Sequence, residues 1–188
     1  MKSICNVRDT GATGDGEHND AHAIQTALDS GAEIVYIPAG TYRIGETLRV
    51  RSDTHILCDG MARLFLCERK PKKRGDFLLT NADTVSGNRN ITITGGIWDG
   101  NYDGKNNDKP ADLFAPDAWS GATLNFCGVE NLTLSGLDMR SSTVYHIRMA
   151  RLRRFTIRDI RFSAVRPAYN QDGLHFGGHV YNGLIENI

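Results

Sequence analysis

The chain has 188 residues, with 22 basic and 22 acidic side chains and a formal net charge of zero. That balance argues against a surface drawn to nucleic acid or to an anionic membrane, and no apolar run is long enough to span a bilayer. Twenty glycines suit a fold that turns often.

Met1-Lys2-Ser3-Ile4-Cys5 lacks the apolar core of a signal peptide, the pattern of a cytoplasmic protein or of a mature chain whose leader has been removed. Residues 9–19, rich in Gly, Asp and Asn, read as a loop. Asn19 then caps a helix over Asp20 to Ser30, with Ala23, Ile24, Ala27 and Leu28 on its apolar face and Gly31 at its end. As the one helix, it is expected to cover the N-terminal end of whatever follows. Short strands are predicted at Ile34 to Ile37, Tyr42 to Ile44, Leu48 to Val50, His55 to Cys58, Met61 to Cys67 and Phe77 to Leu79. A basic loop, Arg69 to Arg74, interrupts them; it reads as a solvated segment or as an attractant for a polyanion. The four cysteines, Cys5, Cys58, Cys67 and Cys127, show no metal-ligand spacing and read as free thiols, those beside apolar strand residues being buried.

From Asn90 onward the chain repeats one phrase. Asn90-Ile91-Thr92-Ile93-Thr94-Gly95-Gly96-Ile97 returns as Asn131-Leu132-Thr133-Leu134-Ser135-Gly136-Leu137, then as Phe155-Thr156-Ile157-Arg158-Asp159-Ile160, and again from Leu184. The period-two alternation makes each copy a strand, and recurrence of strands makes a solenoid, a parallel β-helix. The predicted organisation is one all-β domain, 1–188, with the loop and cap helix in 1–33 and the coils in 34–188. Aligning the copies stacks Asn131 on Arg154, Leu124 on Ile147, Phe126 on Met149 and Ala122 on Tyr145. It also places Leu132, Phe155 and Leu184 directly above one another, and points Leu174 and Phe176 inward after Asp172.

Two long loops, Asp99 to Ser120 and Ser163 to Gln171, open on one edge of this solenoid, the usual place for a binding face. Trp98, Tyr102 and Trp119 either offer aromatic faces to a bound ring there or pack the inserted loop. His175 alternates with Leu174 and Phe176, so it faces a cleft or solvent; His146, one coil earlier, shares that face, and the two are candidates for contacts with the hydroxyl groups of a ligand. Asp172 reads as a turn residue or as a catalytic carboxylate, since Asp-Gly also occurs at Asp15, Asp59, Asp99 and Asp103. Asp99 to Gly104 matches the first half of a calcium loop, but Pro110 stands where the bidentate Glu is required. No metal and no cofactor are expected.

Gly11-Ala12-Thr13-Gly14-Asp15-Gly16, Asn19-Asp20, Ala23-Ile24-Gln25 and Ile37-Pro38-Ala39-Gly40-Thr41-Tyr42 resemble the N-terminal signature of pectin-lyase-fold proteins. Polygalacturonases of glycoside hydrolase family 28, other polysaccharide-cleaving β-helices and phage tailspikes share it. Asn170-Gln171-Asp172-Gly173 resembles the Asn-Thr-Asp-Gly motif of family 28, with Gln171 in place of the usual Thr. The resemblance implies a right-handed β-helix, inverting hydrolysis of an acidic polysaccharide, Asp172 as a catalytic carboxylate orienting water, and Asn170 beside the substrate. In that family the general acid comes from an Asp-Asp pair one coil later, followed by His-Gly and Arg-x-Lys. On this resemblance the chain corresponds to the N-terminal half of such an enzyme, is inactive alone, and associates through its last coil. Two alternatives remain: a carbohydrate-binding or structural β-helix of the tailspike kind, or a polysaccharide lyase, for which no Lys or Arg base and calcium constellation is evident.

Overall fold

Alternating side chains along short strands leave one face of each strand apolar, and a chain of such strands buries that face only by winding around it. In the computed structural model, which describes residues 3–67, 76–103, 121–166 and 170–188, this is the outcome. The first coil holds β1 (Ile4–Asn6), β2 (Asp15–Asn19) and α1 (Ala21–Asp29); the second, β3 (Ile34–Ile37), β4 (Gly40–Ile44) and β5 (Leu48–Val50). β6 (Thr54–Cys58), β7 (Ala62–Leu66) and β8 (Leu79–Asn81) form the third, and β9 (Asn88–Thr94), β10 (Ile97–Asp99) and β11 (Leu124–Cys127) the fourth. The fifth holds β12 (Val129–Ser135), β13 (Asp138–Arg140) and β14 (Ile147–Ala150); the sixth, β15 (Leu152–Arg158), β16 (Arg161–Ser163) and β17 (Leu174–Phe176). β18 (Val180–Glu186) begins a seventh.

From β3 onward every third strand pairs in parallel; the first coil has two strands, so β1 pairs with β3 and β2 with β4. Sheet A runs β1-β3-β6-β9-β12-β15-β18, sheet B runs β2-β4-β7-β10-β13-β16, and sheet C runs β5-β8-β11-β14-β17. The fold is a right-handed parallel β-helix. Matching positions form internal columns: Tyr42, Leu64, Trp98, Met139 and Phe162 in sheet B, and Ile56, Ile93, Leu134, Ile157 and Ile185 in sheet A. Each fully buried side chain of this size stabilises the fold by about 1.5–3 kcal/mol.

α1 takes the place in the first coil that a sheet C strand takes in later ones. Ala21, Ile24, Ala27 and Leu28 face the core. Gln25 completes the edge of β5: its Oε1 accepts from Arg49 N–H at 2.8 Å and its Nε2 donates to Arg49 O at 3.1 Å. One carboxamide thereby stands in for a missing peptide group. The expected cap is displaced by one residue. Asp20 occupies the N-cap position without capping, because its carboxylate is committed to Thr13 N–H at 2.7 Å and Gly14 N–H at 3.1 Å. Asn19 Oδ1 accepts from Ala21 N–H at 3.2 Å and Gly45 N–H at 2.9 Å. Residues 15–19, expected as loop, form β2 against β4; five polar or small residues hide a strand whose pairing comes from its neighbour.

Register between coils follows a column of left-handed residues on sheet A. Asp53, Asn90, Asn131, Arg154 and Asn182 have φ of 62°, 54°, 59°, 55° and 56°. Asn is among the few non-glycine residues that tolerate this conformation. Their side chains bond in sequence: Asn90 Nδ2 to Asp53 Oδ1 at 2.6 Å, Asn131 Nδ2 to Asn90 Oδ1 at 2.8 Å, and Arg154 Nε to Asn131 Oδ1 at 2.9 Å. This column corrects one expected alignment. Leu132 does pair with Phe155, but Phe155 pairs with Gly183, and Leu184 lies beside Thr156. Asn182 takes the left-handed place of Arg154, so the residue after it must oppose Phe155. Leu184 therefore points outward and is exposed.

All four cysteines are free; Cys58 and Cys67 are buried, Cys5 and Cys127 partly so. Burial pushes the Cys58 thiol well above its ordinary range, which keeps it protonated and inert. The basic loop Arg69 to Arg74 lies outside the described residues. Among the described residues no helix is long and apolar enough to cross a membrane.

Candidate active site

The segment Asn170–Gly173 enters β17 along the edge of sheet C, and the fifth coil fixes it. Asn170 is left-handed, with φ of 59°. Gln171 Nε2 donates to Ser142 O at 2.8 Å. The carbonyls of Asp172 and Gly173 accept from His146 N–H and Ile147 N–H at 2.9 and 3.0 Å. A side chain at Gly173 would press on the Phe162 ring at 3.1 Å, so a glycine lets the loop close over the core. The Asp172 backbone is thus held by ladder bonds while its carboxylate stays at the surface, 47% exposed.

That carboxylate has a partner. Asp172 Oδ2 lies 3.1 Å from His175 Nδ1, and the His175 ring stacks on Tyr145 with centroids 3.9 Å apart and planes 14° apart. A ring pinned between a carboxylate and an aromatic face is fixed in orientation. Its Nδ1 faces the Asp172 carboxylate and its Nε2 lies on the opposite side of the ring. His175 continues an outward column on sheet C through Arg148, Asn125, Thr80 and Arg49.

The other expected site residues are scattered. His146 is turned away from the surface, 3% exposed, with Nδ1 3.3 Å from Asp172 O and Nε2 3.3 Å from Ser163 O. Burial holds its pKa below the ordinary histidine value. It supports the Asp172 loop from beneath, and the direct contact with sugar hydroxyls expected for it does not fit this position. Trp98 is fully buried in the sheet B column with its indole N–H donated to Gly95 O at 3.0 Å; it offers no face for sugar stacking, because Ile97 and Asp99 take the outward positions. Tyr102 is half-buried, its N–H bonded to Ser141 O. Trp119 lies outside the described residues. Asp99 is held by Arg63, with Oδ2 to Nη2 at 2.8 Å and to Nε at 3.0 Å, and its Oδ1 closes a turn on Asn101 N–H. Among the described residues no group of three or more His, Cys, Asp or Glu is placed to hold a metal.

The arrangement offers an oriented, half-exposed carboxylate beside a polar column, as activation of water requires. Tyr145, which stacks on His175, is a member of this cluster that motif reading missed; its signal was the offset that stacks Ala122 on Tyr145.

A family model described as rhamnogalacturonase A/epimerase, pectate lyase-like, matches residues 4–181. The chain belongs to this family. As a rhamnogalacturonase A/epimerase-like protein it is 32% identical over 95 residues to the pre-neck appendage protein of Bacillus phage phi29, covering 50% of this chain and 11% of that protein. It is 45% identical over 67 residues to mannuronan C5-epimerase AlgE2 of Azotobacter vinelandii, covering 30% and 7% of the two. Among solved structures it superposes on the family 28 exopolygalacturonase of Yersinia enterocolitica with a TM-score of 0.74 and 24% identity, over 97% of this chain and 43% of that one. The chain therefore spans less than half the length of each of these proteins.

Proposed function

We propose that this β-helix carries part of a polysaccharide-hydrolysing site in which Asp172 orients the attacking water for inverting cleavage of a glycosidic bond. The supporting observation is the Asp172 carboxylate itself, half-exposed, delivered by an Asn-x-Asp-Gly segment and oriented by His175. Inverting hydrolysis places two carboxyl groups roughly 6.5–9.5 Å apart to admit water. A carboxyl on a rung stacked over β17 reaches that range through a rise of about 4.8 Å and a lateral offset. Among the described residues, Asp99 is committed to Arg63 and Asp138 to Arg140. Release of reducing ends from polygalacturonate, alginate and neutral polysaccharides tests the reading. Asp172→Asn is expected to lower any such activity by about a hundredfold or more, and unchanged activity removes Asp172 from the mechanism.

A second reading, a β-helix that binds a surface polysaccharide without cleaving it, is favoured by the similarity to a phage pre-neck appendage protein. Saturable binding without release of reducing ends, unaffected by Asp172→Asn, would establish it instead.

A further inference from the structure

We propose that His146 is a positioning residue: its buried ring, seated across the base of the loop that carries Asp172, ties that loop to the core and so sets where the carboxylate stands. What the carboxylate does there rests on the hydrolase reading; how it is held does not.

The loop leaves β16 after Ser163 and re-enters the solenoid at Leu174, the first residue of β17. His146 lies between its two ends. Nε2 is 3.3 Å from Ser163 O at the departing end, and Nδ1 is 3.3 Å from Asp172 O at the returning end. Each carbonyl already accepts one backbone N–H, Ser163 O from Ser141 at 2.8 Å and Asp172 O from His146 itself at 2.9 Å. A carbonyl oxygen has two lone pairs, so the ring meets the second one at both ends. The Phe162 ring closes the space edge-on, with centroids 5.3 Å apart and planes at 69°. A ring with two nitrogens at this depth needs polar partners, and these two carbonyls supply them.

Two consecutive residues take hold of Asp172 from opposite sides. Tyr145 stacks on His175, whose Nδ1 faces the Asp172 carboxylate. His146 turns inward and meets the Asp172 carbonyl through both its backbone N–H and its ring. Backbone and side chain of Asp172 are therefore fixed by one short segment of the coil beneath. Burial holds the His146 ring neutral against the opposing effects of the Ser163 and Asp172 carbonyls and of Asp99 on β10. A neutral imidazole carries one N–H. The tautomer thus decides which end of the loop receives the hydrogen bond, Asp172 from Nδ1 or Ser163 from Nε2.

The test is nuclear magnetic resonance on the 188-residue chain without substrate. The ring 15N shifts of wild-type His146 at pH 7 identify the protonated nitrogen. His146→Phe keeps a flat ring and removes both nitrogens. The amides of residues 146 and 147, which donate to Asp172 O and Gly173 O, are then expected to exchange about tenfold or more faster, while the amides of β12 stay unchanged. The contact between the Tyr145 and His175 rings should weaken with them. A side-chain amide returns one donor: Asn carries its nitrogen near the place of Nδ1, and Gln near that of Nε2. His146→Asn is expected to recover protection if wild type protonates Nδ1, and His146→Gln if it protonates Nε2. A histidine that only fills space would not discriminate between them. Wild-type exchange in His146→Phe, or no recovery in the variant that matches the tautomer, overturns the assignment; should His146→Phe unfold, equal exchange in the Asn and Gln variants does so. On any polysaccharide that wild type cleaves, His146→Phe is expected to lower kcat about tenfold or more with KM within about twofold, because the carboxylate is displaced while sugar contacts persist. An unchanged kcat would also overturn the positioning role. If wild type cleaves none of the polysaccharides, the hydrolase reading fails, and the exchange pattern still decides how the loop is held.

Discussion

Gly183 lies directly over Phe155, and the phenyl ring occupies the volume that any larger residue at 183 would need. The pair is the point where the last strand of sheet A meets the column of Leu132 and Ile91. Gly183→Ala is expected to cost about 1–3 kcal/mol through overpacking, read as a lower urea midpoint. Phe155→Leu should recover part of that loss in the double variant, because the two positions share one space. Strict additivity would contradict the packing described.

The left-handed column predicts a contrast at Asn131. Asn131→Ala removes two side-chain hydrogen bonds and places a Cβ in a conformation that costs roughly 1–2 kcal/mol. Asn131→Gly loses the same bonds but keeps the backbone at ease. The expected order of thermal midpoints is wild type, then Gly, then Ala. Ala equal to Gly would show that the backbone conformation carries little of the effect.

Gln25 should be equally diagnostic. Gln25→Ala leaves the edge of β5 without either bond to Arg49 and is expected to cost about 1–2 kcal/mol. The Arg49 amide should exchange with solvent deuterium markedly faster. Gln25→Glu keeps the acceptor and loses the donor, so its Arg49 amide should remain protected. Unchanged exchange in the Ala variant would mean that water replaces the carboxamide at no cost.

His146 gives the chain a pH signature. Its pKa is lowered in the fold, first by burial, against the opposing effects of the Ser163 and Asp172 carbonyls and of Asp99. The unfolded chain therefore binds a proton that the fold resists. The contribution is fully present above the ordinary histidine value of about 6.5 and is lost as pH falls from there through the lowered value of the fold. Exposed His18 has a raised pKa beside Asp15 and acts in the opposite sense, so the comparison is between wild type and His146→Gln. The variant should show the flatter fall in urea midpoint between pH 7 and pH 5; parallel profiles would mean that His146 is wetted in solution.

Much of this is legible in the sequence. Leu124 over Ile147, Phe126 over Met149 and Asn131 over Arg154 followed from alternation and a shared offset, because a parallel sheet repeats whatever register its neighbours set. Leu184 was misplaced because apolar pattern alone cannot tell a one-residue slip from the correct register; the decisive signal was Asn182, in the place that Asp53, Asn90, Asn131 and Arg154 hold on earlier rungs. Trp98 looked like a loop aromatic, yet its place between Ile97 and Asp99 assigns it inward. The meeting of Asp172 with His175, and the stack on Tyr145, depend on how Asn170–Gly173 turns, which no periodicity encodes.

The asparagine column has one more consequence. Asp53, Asn90, Asn131, Arg154 and Asn182 are separated by 37, 41, 23 and 28 residues along the chain, yet each returns to the same angular position one rung further on. Each rung of sheet A from β6 onward thus carries its own alignment mark, and a change in the length of one excursion is erased at the next mark rather than passed downstream. Decorations on the solenoid are for that reason interchangeable parts: segments of quite different length, grafted between marks, should leave the remaining rungs in step.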